Sequence, residues 1–140
     1  MPNNKETDLL LREIEQLLAE DESYPLNGTL LYARVASNSV APSIFKDAGN
    51  QVVFRWPDLD RLGGALLDLW EAEEPDRRWA EIVYVIRDEK FEVEYMYADE
   101  IDSEEELLER RERVVRRYFG KKIITYPTFP EDDRDSGYNY

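Results

Sequence analysis

The sequence contains neither cysteine nor histidine. These two absences exclude thiol nucleophiles, disulfide bonds, thiolate zinc sites and imidazole general bases, and they remove the usual ligands of transition metals. The groups left for catalysis are mainly carboxylate, lysine, tyrosine and serine side chains, and no recognisable catalytic motif arranges them. We therefore predict a protein that is not an enzyme and that binds no cofactor.

Long apolar runs are also absent. No segment approaches the roughly 20 apolar residues that cross a bilayer. The first residues lack the cationic start and apolar core of a signal peptide. We therefore expect a cytoplasmic protein that does not bind a membrane. With 140 residues, the chain has the length of one domain that buries a core of its own.

Basic residues are few. The chain has 32 acidic and 18 basic residues, which gives a net charge of −14. Such a surface repels nucleic acid and anionic membranes at long range and attracts a cationic partner. Many proteins are simply acidic, but here residues 88–109 hold eleven acids and Lys90 as their only basic residue before Arg110. This uneven distribution favours a cationic protein partner.

The clearest pattern lies between Trp79 and Phe119. One face of the first run holds Ala80, Ile82, Tyr84 and Ile86. One face of the second holds Phe91, Val93, Tyr95 and Tyr97. The break at residues 88–90 is too short for anything but antiparallel pairing, so the pattern predicts a β-hairpin. From Ser103 the spacing becomes helical, and we expect one stripe of this helix to cover the apolar face of the hairpin.

Two helices are predicted in the first half of the chain. One extends for about four turns from Asn3, which has the capping-box spacing with Glu6. The other starts at Pro57 and Asp58, residue types that suit a helix amino end. The adjacent glycines at residues 63–64 predict either close packing against a neighbour or a break into two short helices.

The predicted order is α-β-β-α-β-β-α. Strands are expected at residues 29–35 and 51–56, and residues 36–49 are expected to form a long loop between them. Residues 121–126 form either a short final strand or an extended arm. We predict one α+β domain over residues 1–126, with an antiparallel sheet of about four strands and helices packed on it, followed by a mobile acidic tail at 127–140.

The acids after the hairpin could bind a divalent cation, because hard cations prefer oxygen ligands. The spacing of an EF-hand loop is missing, however, and Ser103 with Glu106 has the spacing of a capping box. Acids at a helix amino end also complement the helix dipole. We therefore predict no metal site. Two carboxylates could also act as acid and base in the hydrolysis of a sugar. In a chain this acidic any two carboxylates can be paired, so their presence does not indicate such an enzyme.

The last predicted helix carries a cluster of arginines, which are Arg110, Arg111, Arg113, Arg116 and Arg117. Such a cluster could contact nucleic acid. The preceding acids can pair with these arginines along the helix, and the whole chain is strongly negative. We therefore predict exposed helix arginines and no direct contact with nucleic acid.

Three segments of the sequence carry a resemblance to a known family. They are Trp79-Ala-Glu-Ile-Val-Tyr-Val-Ile, Lys90-Phe-Glu-Val-Glu-Tyr-Met-Tyr-Ala-Asp99 and Arg110-Arg-Glu-Arg-Val-Val-Arg-Arg-Tyr-Phe-Gly120. Together they resemble the YezG-like immunity proteins over roughly residues 28–122, with the best match at 79–120. The resemblance implies a small acidic α+β antitoxin whose partner is a secreted polymorphic or contact-dependent toxin, commonly a nuclease.

Immunity of this kind requires only binding, because the protein covers the active site or an essential surface of the toxin. We expect the acids between Glu92 and Glu105 to make the contact. The predicted contact residues are Glu92, Glu94, Asp99, Glu100, Asp102, Glu104 and Glu105. Two alternatives are a DNA-mimicking regulator or assembly subunit that binds a basic host protein, and an enzyme that uses carboxylates and a metal.

Overall fold

The computed structural model describes residues 4–127. Its helices are α1 (Asn4–Ala19), α2 (Leu59–Glu71) and α3 (Leu107–Phe119). Its strands are β1 (Thr29–Ala36), β2 (Ser39–Asp47), β3 (Gln51–Arg55), β4 (Glu81–Arg87), β5 (Lys90–Met96) and β6 (Ile123–Thr125). Short 3-10 turns occur at Pro75–Arg77 and Ala98–Glu100. The expected cap at Asn3 and the expected tail from residue 128 onward lie outside the described residues.

All six strands form one sheet in the order β5-β4-β1-β2-β3-β6. Neighbouring strands are antiparallel except for β3 and β6, which are parallel. The predicted α+β class and the β4–β5 hairpin are confirmed. The sheet differs from the predicted one of about four antiparallel strands, because it has six strands and is mixed. The expected loop contributes β2, and of the two alternatives for residues 121–126 the short final strand is the one observed, as β6.

The predicted loop at residues 36–49 is mostly strand β2, which lies in the middle of the sheet. Its Ile44 and Phe45 are buried on opposite faces. Serines, Asn38 and Pro42 hid this strand in the sequence, since these residue types are typical of turns. Proline is tolerated at position 42 because β3 pairs with β2 only from Ile44 onward, so a strand neighbour lies on one side only.

Helices cover both faces of the sheet. On one face, α1 and α2 bury Leu11, Ile14, Leu18, Leu62, Leu66 and Leu69 against side chains of β1, β2 and β4. The predicted apolar face of the hairpin, including Ile82 and Tyr84, belongs to this layer. Helix α3 packs on the other face, where Val114, Val115 and Phe119 meet Val83 and Val85. The expectation that α3 covers the apolar face of the hairpin is therefore wrong.

Two predictions about helix details are also wrong. Helix α3 begins at Leu107, and its N-cap residue is Glu106, whose side chain makes no capping hydrogen bond, so Ser103 and Glu106 do not form a capping box. Helix α2 passes through Gly63 and Gly64 without a break. No neighbouring heavy atom lies within 4 Å of the point where a Cβ would stand on either glycine, so close packing does not explain the pair.

Candidate functional site

Residues 97–106, the acidic segment, join β5 to α3. They hold five of the seven predicted contact residues, and the other two, Glu92 and Glu94, lie on β5. The first part of the segment is the 3-10 turn at Ala98–Glu100. The Tyr97 N–H donates to Glu100 Oε1 at 2.9 Å, and the Glu104 N–H donates to Asp102 Oδ1 at 2.9 Å. Two of the predicted carboxylates therefore also fix the backbone of the segment.

Three of the seven predicted contact residues form ion pairs within the chain. The pairs and their N–O distances are Glu92–Arg87 at 3.5 Å, Glu94–Arg117 at 3.0 Å and Glu105–Arg113 at 2.6 Å. The hydrogen bond from Arg113 lowers the pKa of the Glu105 carboxyl. A cationic partner would have to compete with these arginines, so the three carboxylates attract it less than their number implies.

The other four predicted contact residues are exposed, and none pairs with a basic side chain of residues 4–127. They are Asp99, Glu100, Asp102 and Glu104. All four lie in the short acidic segment, before the arginines of α3 begin. These carboxylates make no ion pair in the described part of the chain, although Asp102 acts electrostatically on Arg113, and Arg77 and Arg78 line a cavity together with Asp99 and Glu100. Negative charge that is not held in an ion pair is available to attract and hold a cationic partner.

A surface cavity of about 540 Å³ lies beside the acidic segment. Its apolar walls are Val35, Ala36, Ala41, Ala80, Ala98 and Ile101. Asp102 and Glu105 add carboxylates, and Arg34 adds a guanidinium. Small apolar walls next to a carboxylate can accept the methylene stem and the charged head of a lysine or arginine side chain. The cavity therefore offers, beside the acidic segment, a place where a basic side chain of a partner can be held.

A buried carboxylate is linked to this cavity through Arg34. Glu81 is fully buried and accepts hydrogen bonds from the Tyr32 hydroxyl, from Arg34 Nε at 2.8 Å and from Arg110 Nε at 2.7 Å. Burial, together with the hydrogen bond to Glu81, raises the pKa of Tyr32 to about 12. These donors lie on β1 and α3, so the cluster links the sheet to α3.

Sequence reasoning missed this cluster. We expected the α3 arginines to be exposed, but Arg110 is only 7% exposed. Glu81 is the one acid in the apolar run from Trp79 to Ile86. Such an acid in a buried strand requires a cation or several donors, because an isolated charge in the interior is very costly. That requirement could have pointed to a buried arginine, but not to which one.

Lys46 is a second buried charge that the sequence did not reveal. Its side chain is 1% exposed, and its ammonium donates to Thr29 Oγ1 at 2.7 Å and to the Pro25 carbonyl at 3.4 Å. Burial lowers the pKa of this lysine. A lysine with a lowered pKa is a better nucleophile, but the surrounding chain closes Lys46 off from any ligand, so it is a structural residue.

No group of three or more carboxylates within residues 4–127 is arranged to hold a metal ion. In the same part of the chain, no helix is both long and apolar enough to cross a membrane. Comparison with known proteins adds no assignment, because no protein-family model and no curated protein matches the sequence. The resemblance to YezG-like immunity proteins stays a prediction.

Proposed function

We propose that this protein is an immunity protein that neutralises a cationic bacterial toxin of the nuclease type in a tight stoichiometric complex. The observation that carries the proposal is the set of four exposed carboxylates, which are Asp99, Glu100, Asp102 and Glu104. No basic residue among residues 4–127 pairs with them. The charge supports a cationic partner, and the family resemblance supports a toxin as that partner.

The proposed mechanism is binding without chemistry. A nuclease presents a basic surface to the phosphates of its substrate, and a protein of net charge −14 competes for that surface. Long-range attraction speeds the encounter. Contacts in the cavity beside Asp102 and Ile101 then retain a basic side chain of the toxin. Once bound, the protein excludes nucleic acid from the surface that it covers.

The test begins with capture of the partner. The full chain is immobilised, a lysate of the source organism is passed over it, and bound proteins are eluted with rising salt and identified. The gene of the retained protein is then expressed in a bacterial host with and without this chain. We expect a single cationic polypeptide that arrests growth when expressed alone and loses its toxicity when the chain is co-expressed.

Two results would contradict this proposal. A retained housekeeping protein that is harmless on expression would favour the DNA-mimicking regulator or assembly subunit. A toxic partner whose effect persists although it binds the chain in one-to-one ratio would show binding without neutralisation.

A further inference from the structure

A groove of about 830 Å³ lies between the middle of the sheet and the start of α2. Its lining includes Pro42, Phe54, Trp56, Pro57, Leu59 and Arg111. Trp56 is 46% exposed and Leu59 is 64% exposed. Arg111 is half-buried. Tryptophan and arginine are among the residue types that dominate binding energy at protein interfaces. The groove shares no lining residue with the acidic segment.

Aromatic rings surround Arg111 at one side of this groove. The centre of its guanidinium lies 5.6 Å from the ring centroids of Phe45 and Phe54 and 5.4 Å from that of Tyr126. Cation–π contacts of this kind hold a guanidinium in one orientation. Arg111 also donates to Ser43 Oγ at 2.9 Å and to the Tyr126 hydroxyl at 3.4 Å.

Arg111 has no carboxylate partner among residues 4–127, although the chain is strongly acidic. Its hydrogen-bond acceptors there are two neutral hydroxyl groups. Its Nε is buried and has no acceptor, so the donors that a ligand in the groove would meet are the remaining N–H groups of Nη1 and Nη2. An arginine held in place beside an apolar groove is suited to form charge-assisted hydrogen bonds with an incoming carboxylate.

We infer that this groove binds an extended segment of a partner protein in which an aromatic or aliphatic side chain is followed by a glutamate or aspartate. The apolar side chain packs on Phe54 and Leu59, and the carboxylate pairs with Arg111. This inference goes beyond the proposed neutralisation, because the acidic segment selects a cationic surface and the groove selects a carboxylate.

Two carboxylates line the same groove and limit where the ligand can place its charge. The Asp58 carboxylate already caps helix α2, since it accepts a hydrogen bond from the Arg61 backbone N–H at 3.1 Å and lies 3.9 Å from the Arg61 guanidinium. Asp60 is exposed and pairs with no basic side chain of residues 4–127. The ligand carboxylate is therefore confined to the Arg111 side, and a basic residue of the same segment suits the Asp60 side.

The test uses two capped hexapeptides, Gly-Ser-Trp-Glu-Ser-Gly and the same peptide with Gln in place of Glu. The full chain is labelled with 15N, and the Nε–Hε signal of Arg111 and the indole signal of Trp56 are followed by NMR during titration. We expect the Glu peptide to bind with a Kd on the order of 1 mM. The Kd of the Gln peptide should be at least about fivefold higher. Only the Glu peptide should shift the Arg111 signal strongly.

Variants of the chain supply the controls. Arg111→Gln should reduce the preference for the Glu peptide to about one. Leu59→Glu adds a like charge at the rim, and it should weaken the Glu peptide while the fold is kept, since acids suit a helix amino end. Leu9 is also 64% exposed and lies on α1, so Leu9→Glu is the matched control and should leave binding unchanged.

The inference is overturned if the two peptides bind equally, or if Leu59→Glu and Leu9→Glu have the same effect. It is also overturned if another occupant fills the groove. A second copy would appear as concentration-dependent shifts of the Arg111 signal together with dimers in sedimentation. The chain's own residues would be indicated if amide substitution of Glu131, Asp132 and Asp133 in the full chain strengthened peptide binding.

Discussion

Glu81 shows what one residue contributes to this protein. Its carboxylate is 0% exposed and joins β1 and β4 to α3 through Tyr32, Arg34 and Arg110. Arg110 is itself buried, and its charge is balanced mainly by this carboxylate at 2.7 Å, since its second partner, Glu105, lies at 3.7 Å. Each of these groups is satisfied only while the others remain in place, because an unpaired charge in the interior is far more costly than the pair.

Replacing Glu81 with glutamine should therefore lower the free energy of unfolding by as much as about 3–5 kcal/mol, because the buried Arg110 keeps only the more distant Glu105 carboxylate, 3.7 Å from its Nη1, as a counter-charge. Chemical denaturation measures the change. Glu92→Gln is the control, since its ion pair with Arg87 is exposed at 57% and 43%, and it should cost no more than about 1 kcal/mol. Equal losses in the two variants would show that the buried cluster has no special role.

The raised pKa of Tyr32, about 12, predicts a loss of stability in alkali. The folded state holds the phenol proton more tightly than the unfolded state, whose tyrosine titrates near about 10. The stabilisation is complete below about pH 10 and is lost as the pH rises towards about 12. Tyr32→Phe should make the decline of unfolding free energy over this range less steep.

Denaturation curves at several pH values give this slope directly. The slope and not the absolute stability is compared, because Tyr32→Phe also removes the hydrogen bond that the Tyr32 hydroxyl donates to Glu81. This loss lowers the free energy of unfolding at every pH. If the variant and the parent chain decline with the same slope, Tyr32 does not titrate in this range in the folded protein.

Among the elements, helix α2 could be made more stable by a single substitution. Gly64 is exposed in the helix interior, and a Cβ there would meet no atom within 4 Å. Gly64→Ala should raise the free energy of unfolding by up to about 1 kcal/mol, because alanine loses less backbone entropy on folding. Thermal or chemical denaturation tests this expectation.

Gly28→Ala is the opposite case. Gly28 has φ of +90°, and a Cβ there would lie 3.2 Å from Cβ of Asp47. This substitution should destabilise the protein, because a non-glycine residue at positive φ is strained. If both alanine variants changed stability in the same direction, backbone conformation would not explain the glycines of this chain.

For the whole molecule, the net charge of −14 predicts that the rate of association with the captured partner falls when carboxylates at the contact are neutralised. The variant Asp99→Asn, Glu100→Gln, Asp102→Asn removes three charges and keeps the acceptors for the Tyr97 and Glu104 N–H groups. The association rate should fall on the order of tenfold and depend less on salt. Stopped-flow or surface-plasmon measurements at several salt concentrations provide both values.

A matched variant removes the same total charge elsewhere. Asp8, Glu22 and Asp68 are exposed on other parts of the surface, and their amide substitutions should reduce the rate much less. If the two variants slow association equally, the partner senses only the total charge. If the first variant binds like the parent chain, the acidic segment is not the contact.

Sequence reasoning reached the features that depend on neighbours along the chain. Alternation placed Ile82 and Tyr84 on one face of β4, and helical spacing located α2 with its cap at Asp58. It missed β2, because turn-forming residues such as Pro42 outweighed a strand pattern that pairing with β1 stabilises. It identified the exposed acids of the candidate site, but not which of them the arginines of α3 neutralise.

Composition and local periodicity account for the absence of thiol and imidazole groups, the excess of acid and the local hairpin and helix patterns. The strand order, the face that α3 covers and the pairing of each charge depend on the complete fold, because they join residues that are far apart along the chain. Glu81 meets Tyr32 across 49 residues and Arg110 across 29, and no periodicity within a single element encodes such contacts.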